Sequence, residues 1–222
     1  MSSVTALTLP PASTARLTTF FSELMRRAII AAEAPTLNPD NLESPWYEVY
    51  SLFLQQLLLS HTQFSTCPQG TLQADIGQDA RWRTPDFTVY RYIDQRLMNN
   101  TVIVHSRISR LLVEVKQTLQ HPTPTTVLHT FRGHEFIRQI QNQAKLAFAS
   151  YPHLQAVFLL QCTGRFWRRG YITRVGTSPL HNNSGAPVAN IQWGNIVDIT
   201  TPHSNAQVAT DLNNTQGNVF FV

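Results

Sequence analysis

Apolar residues in this 222-residue chain recur at two spacings, and the alternation between them lays out the elements. From Thr14 to Ala34, Leu17, Phe20, Phe21, Leu24, Ile29 and Ile30 follow the helical interval, and Pro35 with Asn38-Pro39-Asp40 ends the segment. A second helix is predicted from Ser44 to about His61. Ser44 suits the N-cap and Pro45 the first turn, where its missing N–H costs nothing. Val49, Leu52, Phe53, Leu57 and Leu58 form its buried stripe.

The middle of the chain changes to strand character. Residues 63–79 read as loop, with a short strand at 71–76. Pro85 to Ile93, carrying Phe87, Val89, Tyr90 and Tyr92, reads as a strand. Asn99-Asn100 signals a turn before Val102-Ile103-Val104, and Arg110 to Lys116 is predicted as a further strand. Pro122 and Pro124 are expected to break the chain. Helical spacing returns from Gly133 to Tyr151 through Phe136, Ile137, Ile140, Ala144 and Phe148. Ala156 to Cys162 is a continuous apolar run of the kind a buried strand carries. An arginine-rich hairpin partner follows from Gly164 to Val175. The tail from Gly176 is polar and nearly uncharged, with one strand expected at 191–199.

Helix, helix, three strands, helix, strand and strand make an α/β fold, a central mixed sheet flanked by helices. The expected organisation is a disordered leader over 1–14, which Pro10-Pro11 keeps from forming a helix. One domain then spans 15–175, and a C-terminal extension 176–222 has a mobile end. No internal repeat is visible.

Composition adjusts this picture only slightly. The hydrophobic fraction of 42% and the net charge of +4 suit a water-exposed globular chain with a mild bias towards polyanions. Fifteen of the basic residues are arginines and two, Lys116 and Lys145, are lysines, so Lys116 stands out. Cys67 and Cys162 fit no metal spacing and no disulfide framework. The start lacks the basic-then-apolar order of a signal peptide, and no apolar run reaches membrane length. An intracellular chain with no membrane association is expected, with nucleus and cytoplasm undistinguished.

The chemistry is concentrated in Glu114-Val115-Lys116, at the end of the apolar run Leu111-Leu112-Val113, and in Pro85-Asp86 upstream. Alternation places Glu114 and Lys116 on one face of a strand and Val115 on the other. A carboxylate on a largely buried strand is costly unless it is paired or binds something. Asp86, Glu114 and the Val115 carbonyl offer hard oxygens suited to Mg²⁺ or Mn²⁺. Lys116 can orient a water or meet developing negative charge. These are the parts that metal-assisted phosphodiester hydrolysis requires. An ordinary same-face ion pair for Glu114 and Lys116, and a turn-capping role for Asp86, are the plainer alternatives.

Pro85-Asp86 followed by Glu114-Val115-Lys116 on an apolar strand resembles the signature of the PD-(D/E)XK nuclease superfamily. The resemblance implies a restriction-endonuclease-like α-β-β-β-α-β core over Ser44 to Cys162, here with an extra N-terminal helix. It implies Asp86 and Glu114 as metal-binding acids and Lys116 as the catalytic lysine. Members that add an acid from the first core helix would place it at Glu48, with Glu43 a weaker candidate before the helix. Members with a glutamine on the following helix would use Gln139, Gln141 or Gln143, with Gln143 preferred. A histidine-assisted variant at His61 is a minor alternative. Arg81, Arg83, Arg165, Arg168 and Arg169, interleaved with Trp82, Phe166 and Trp167, are candidate nucleic-acid contacts, as is Gln143. The expected substrate is nucleic acid, DNA before RNA. A catalytically inactive binding module of the same fold is the alternative, and a homodimer or larger complex stays open.

Overall fold

A computed structural model describes residues 21–58, 63–76, 79–96, 102–119, 121–174 and 191–201. The expected leader 1–14, His61 and most of the C-terminal extension lie outside these residues. The fold is mixed α/β. A single π-helical turn, Phe21–Met25, runs into α1 (Arg26–Glu33), and α2 spans Ser44–Leu58. The strands β1 (Phe64–Pro68), β2 (Leu72–Ile76), β3 (Asp79–Arg83), β4 (Phe87–Arg96) and β5 (Val102–Lys116) follow. Then come α3 (Pro124–Phe131), α4 (His134–Ser150), β6 (Ala156–Thr163), β7 (Phe166–Thr173), β8 (Gln192–Trp193) and β9 (Val197–Asp198).

The main sheet runs β1-β4-β5-β6-β7-β8, with β9 also pairing β7, while β2 and β3 form a separate hairpin. All pairs are antiparallel except β5 with β6, whose parallel register sets Glu114 beside Gln161 and Lys116 beside Thr163. A parallel pair needs a crossover, and α3 with α4 supplies it.

The alternation along β5 divides the core. Leu111, Val113 and Val115 face α1 and α2, packing with Ile29, Trp46, Val49, Tyr50 and Phe53. Leu112 faces α4, among Phe136, Ile140, Ala144, Ala147 and Leu159. With both faces covered, the C-terminal half of β5 is buried through Val115. Glu114, at 2% exposure, is therefore a carboxylate in an apolar layer.

Four local expectations need correction. The prolines at 122 and 124 do not simply break the chain: Pro124 opens α3. Thr123 caps it, accepting the Thr126 N–H at 3.2 Å while Thr126 Oγ1 accepts the Thr123 N–H at 2.9 Å. Residues 63–79 hold β1, which pairs with β4, and the start of β3, besides the expected short strand. Val102–Val104 and Arg110–Lys116 are one continuous strand, paired with β4 across two register shifts. The strand expected at 191–199 is two short pieces. Among the described residues, no helix is long and apolar enough to cross a membrane.

Candidate functional site

The two motif halves meet at one end of the sheet. Asp86 sits one residue before β4, where Phe87 is paired with Val113 of β5. Its Oδ2 accepts the Val115 backbone N–H at 2.7 Å, and its Oδ1 accepts the Tyr47 hydroxyl at 2.8 Å. The Asp86 carbonyl accepts the Gln69 N–H at 2.8 Å, tying the aspartate to the end of β1. A residue in an extended strand presents its N–H and C=O to the same edge. The Val115 carbonyl is thus directed to the side where Asp86 stands.

Glu114 points to the opposite layer, beneath α4. Gln139 and Gln143, one turn apart on that helix, aim at the same carboxylate. The Gln143 amide donates to Oε2 at 2.7 Å, and the Gln139 amide donates to Oε1. Lys116 Nζ also reaches Oε1, at 3.1 Å. Burial first, and then the Asp86 carboxylate, push the Glu114 carboxyl up to about 7, against the amide of Gln143 and the charge of Lys116. Gln143 Oε1 is buried with no hydrogen-bond partner among the described residues.

Lys116 lies at the rim between two acids, Glu114 at 3.1 Å and Glu43 at 3.7 Å, and above the Phe136 ring. Burial works to lower its pKa, but the neighbouring carboxylates outweigh it and the ammonium is held above its ordinary value. Lys116 is a cation throughout the neutral range. The chain is gripped as it leaves β5. Gly164 N–H donates to the Lys116 carbonyl at 3.1 Å, Thr163 Oγ1 to Gln117 O at 2.8 Å, and Asn41 Nδ2 to Thr118 O at 2.9 Å. Gly164 holds φ at +51° in the two-residue β6–β7 turn, a conformation that favours glycine.

The site therefore gathers Asp86, Glu114 and Lys116, together with Glu43, Tyr47, Gln139 and Gln143. Glu43 and Tyr47, four residues apart, share the face of the α2 entry that meets the strand ends. Glu48 does not join them: it is exposed, on the side of α2 turned away from Val49, Tyr50 and Phe53. The acid from this segment that touches the site is Glu43, the weaker sequence candidate. Gln143 is buried at 1% and engages Glu114, which removes it from any surface that nucleic acid can contact.

The arginines divide as well. Arg168 is buried. It donates from Nε to Gln161 Oε1 at 2.8 Å and from Nη2 to Phe131 O, with its guanidinium 4.1 Å from the Trp193 ring centre. Burial, then the nearby Arg132, lower its pKa to about 10. This arginine braces α3 against β7, so the expectation that it contacts nucleic acid is corrected. Arg165 pairs with Asp198 at 3.0 Å and Glu33 at 3.8 Å. Arg169 is half-buried beside Gly194, while Arg81 and Arg83 are exposed on β3.

Among the described residues, no group of three or more His, Cys, Asp or Glu side chains is placed to hold a metal ion. The site offers two carboxylates, with a third acid on the far side of Lys116. No family model matches the chain, and no curated protein matches it. Tyr47 was the site member least visible in the sequence, because a tyrosine on an apolar helix reads as packing.

Proposed function

We propose that this chain is a restriction-endonuclease-like, metal-dependent phosphodiesterase acting on nucleic acid. The observation that carries the proposal is the Asp86–Val115 hydrogen bond, which brings the proline-aspartate motif to the glutamate-valine-lysine motif. In support of the fold reading, the order α2, β1, β4, β5, α4, β6 runs as helix, three antiparallel strands, helix and a parallel strand. The β2–β3 hairpin and α3 are insertions on that frame.

The donor set fits a hard divalent cation. Mg²⁺ keeps several waters and is commonly held by one or two carboxylates, and Asp86, Glu114 and the Val115 carbonyl are all oxygen donors. Two observations favour the fit. Glu114 is raised to about 7 by burial and by Asp86, so a cation beside both acids would offset both penalties. The orphaned Gln143 Oε1 is an acceptor that the waters of a hydrated cation can use. When bound, the cation would polarise the phosphate and the attacking water.

The protein's own groups supply the rest. Tyr47 and the Val115 amide hold both Asp86 oxygens in place. Gln139 and Gln143 fix the Glu114 carboxylate. Lys116, protonated and partly exposed, is available to orient a water or to meet charge developing on the phosphate.

A second reading, a non-catalytic nucleic-acid-binding member of the same fold, draws on the same contacts. Both oxygens of Glu114 already have amide or ammonium donors, and Glu48 brings no third acid. Cleavage of plasmid and single-stranded DNA in Mg²⁺ or Mn²⁺ separates the two. The nuclease reading expects cleavage that Asp86→Ala and Lys116→Ala abolish, and it fails if both variants cleave as the wild type does.

A further inference from the structure

The β2–β3 hairpin stands immediately upstream of Asp86 and carries the most exposed aromatic ring of the described chain. Trp82 is 63% exposed, whereas Trp46 and Trp167 are buried and Trp193 is covered by the Arg168 guanidinium. The hairpin is well anchored. Leu72 and Ala74 pack on the α4 layer, and the Ser150 hydroxyl donates to the Gln73 carbonyl at 2.6 Å. Directly paired residues project to the same face. Leu72 with Arg83 and Ala74 with Arg81 therefore share the inner face, and Gln73 with Trp82 forms the outer one. Trp82 is not a core residue displaced to the surface: its position in the register requires it to point outward.

Arg81 and Arg83 flank Trp82 in sequence and leave the strand on its other face, yet both are exposed, and Arg83 Nη1 is held at 2.8 Å on the Trp82 carbonyl. β3 is an edge of this two-stranded sheet, so both exposed arginines can reach round it towards the Trp82 face, which suits a base stacked on the ring and phosphates on the guanidiniums.

We infer that the hairpin is a binding platform for unpaired nucleotides, with Trp82 stacking on a base and Arg81 and Arg83 holding the flanking phosphates. The inference rests on the nucleic-acid reading of the neighbouring site and specifies its substrate as single-stranded or locally unpaired. Asp86 lies four positions after Trp82, a reach of at most about 14 Å in extended chain. At a stacked rise of ~3.4 Å per nucleotide, the base on Trp82 lies within about four nucleotides of the phosphate at Asp86.

The test measures affinity of the full chain for fluorescein-labelled oligo-dT and for a blunt duplex of equal length, in EDTA so that binding is read without cleavage. Trp82→Ala is expected to weaken oligo-dT binding by about fivefold or more, while Trp82→Phe keeps most of the affinity. Duplex affinity should be unchanged, as should the melting temperature of this exposed-site variant. Arg81→Gln and Arg83→Gln should each reduce the salt-dependence slope on oligo-dT by about 0.7. The inference is overturned by wild-type oligo-dT affinity in Trp82→Ala, or by equal losses on single strand and duplex. Failure of the wild type to bind oligo-dT also overturns it. So does a Trp82→Ala variant that changes only the sedimenting mass, since the ring would then serve a protein interface. Trp82-dependent binding by a protein that cleaves nothing in Mg²⁺ or Mn²⁺ would sustain this inference while removing the catalytic reading.

Discussion

The Asp86 carboxylate accepts the backbone N–H of Val115 at 2.7 Å, so the loop before β4 and the end of β5 are joined by a side chain where the strand ladder has stopped. This bond makes one site of two sequence motifs. Asp86→Ala would leave the Val115 N–H without its partner in a part-buried position. A loss of about 1–3 kcal/mol of stability is expected, measured by urea denaturation. A variant as stable as the wild type would mean that the bond does not hold the strand ends together.

Tyr47→Phe removes only the hydroxyl that meets Asp86 Oδ1 and leaves the ring against Phe87 intact. It should cost about 1 kcal/mol and raise the Mg²⁺ concentration needed for half-maximal cleavage. Unchanged metal dependence would show that Tyr47 does not position Asp86.

Glu114 makes stability depend on pH in a direction opposite to that of a salt-bridged carboxylate. Its folded pKa of about 7 exceeds the ordinary 4.5, so the folded state holds more protons than the unfolded state between those values. Without divalent metal, stability should be greatest below about pH 4.5 on this account and decline as pH rises towards 7. The total change is on the order of 3 kcal/mol from this group. Glu114→Gln should flatten that decline, and Mg²⁺ should shift it to lower pH. Thermal melts across the range read all three, and a decline that persists in Glu114→Gln assigns the titration to another group.

Gln143→Leu keeps the volume and deletes a donor to Glu114 Oε2. The loss should be about 1.5–3 kcal/mol at pH 8, where Glu114 is ionised, and smaller at pH 5, where the folded carboxyl is protonated. Equal destabilisation at both pH values would refute Gln143 as a support for the carboxylate.

Gly164→Ala adds a methyl group 2.2 Å from Thr118 Oγ1 and 2.9 Å from Thr118 Cα, at a positive φ. Because the second contact is backbone, the β6–β7 turn must shift, and with it the Gly164 grip on Lys116. A stability loss of more than about 1 kcal/mol is expected by denaturant titration. Wild-type stability would show that the turn adjusts freely.

The parts of this arrangement legible in the sequence were those written as periodic patterns. The stripe of α4, the apolar run of β6 and the alternation around Glu114 all rest on burial, which hydrophobicity reports directly. The approach of Asp86 to Val115 was legible only through the motif resemblance. Two misreadings share one physical cause, the double use of polar residues. Gln143 looks like a nucleic-acid contact until the buried Glu114 carboxylate beneath it is known. Arg168 looks like a phosphate ligand until the Phe131 carbonyl and the Trp193 ring are seen around it. Glu48 was preferred to Glu43 because it lies within the helix. The rotation of α2, set by Trp46, Val49 and Tyr50, turns it to solvent and leaves Glu43 facing Lys116. The Thr123-Pro124 start of α3 was present in the residues, and the two prolines concealed it.

The most direct test of the central claim is the single-turnover rate of Mg²⁺-dependent cleavage of single-stranded and plasmid DNA, with the melting temperature of each protein measured alongside. Wild type should cleave, EDTA should stop it, and Lys116→Gln and Asp86→Asn should each slow it by at least about a hundredfold, the scale of a positioned electrostatic group, while remaining folded. Cleavage at the wild-type rate by both folded variants, or none by the folded wild type in either Mg²⁺ or Mn²⁺, would contradict it.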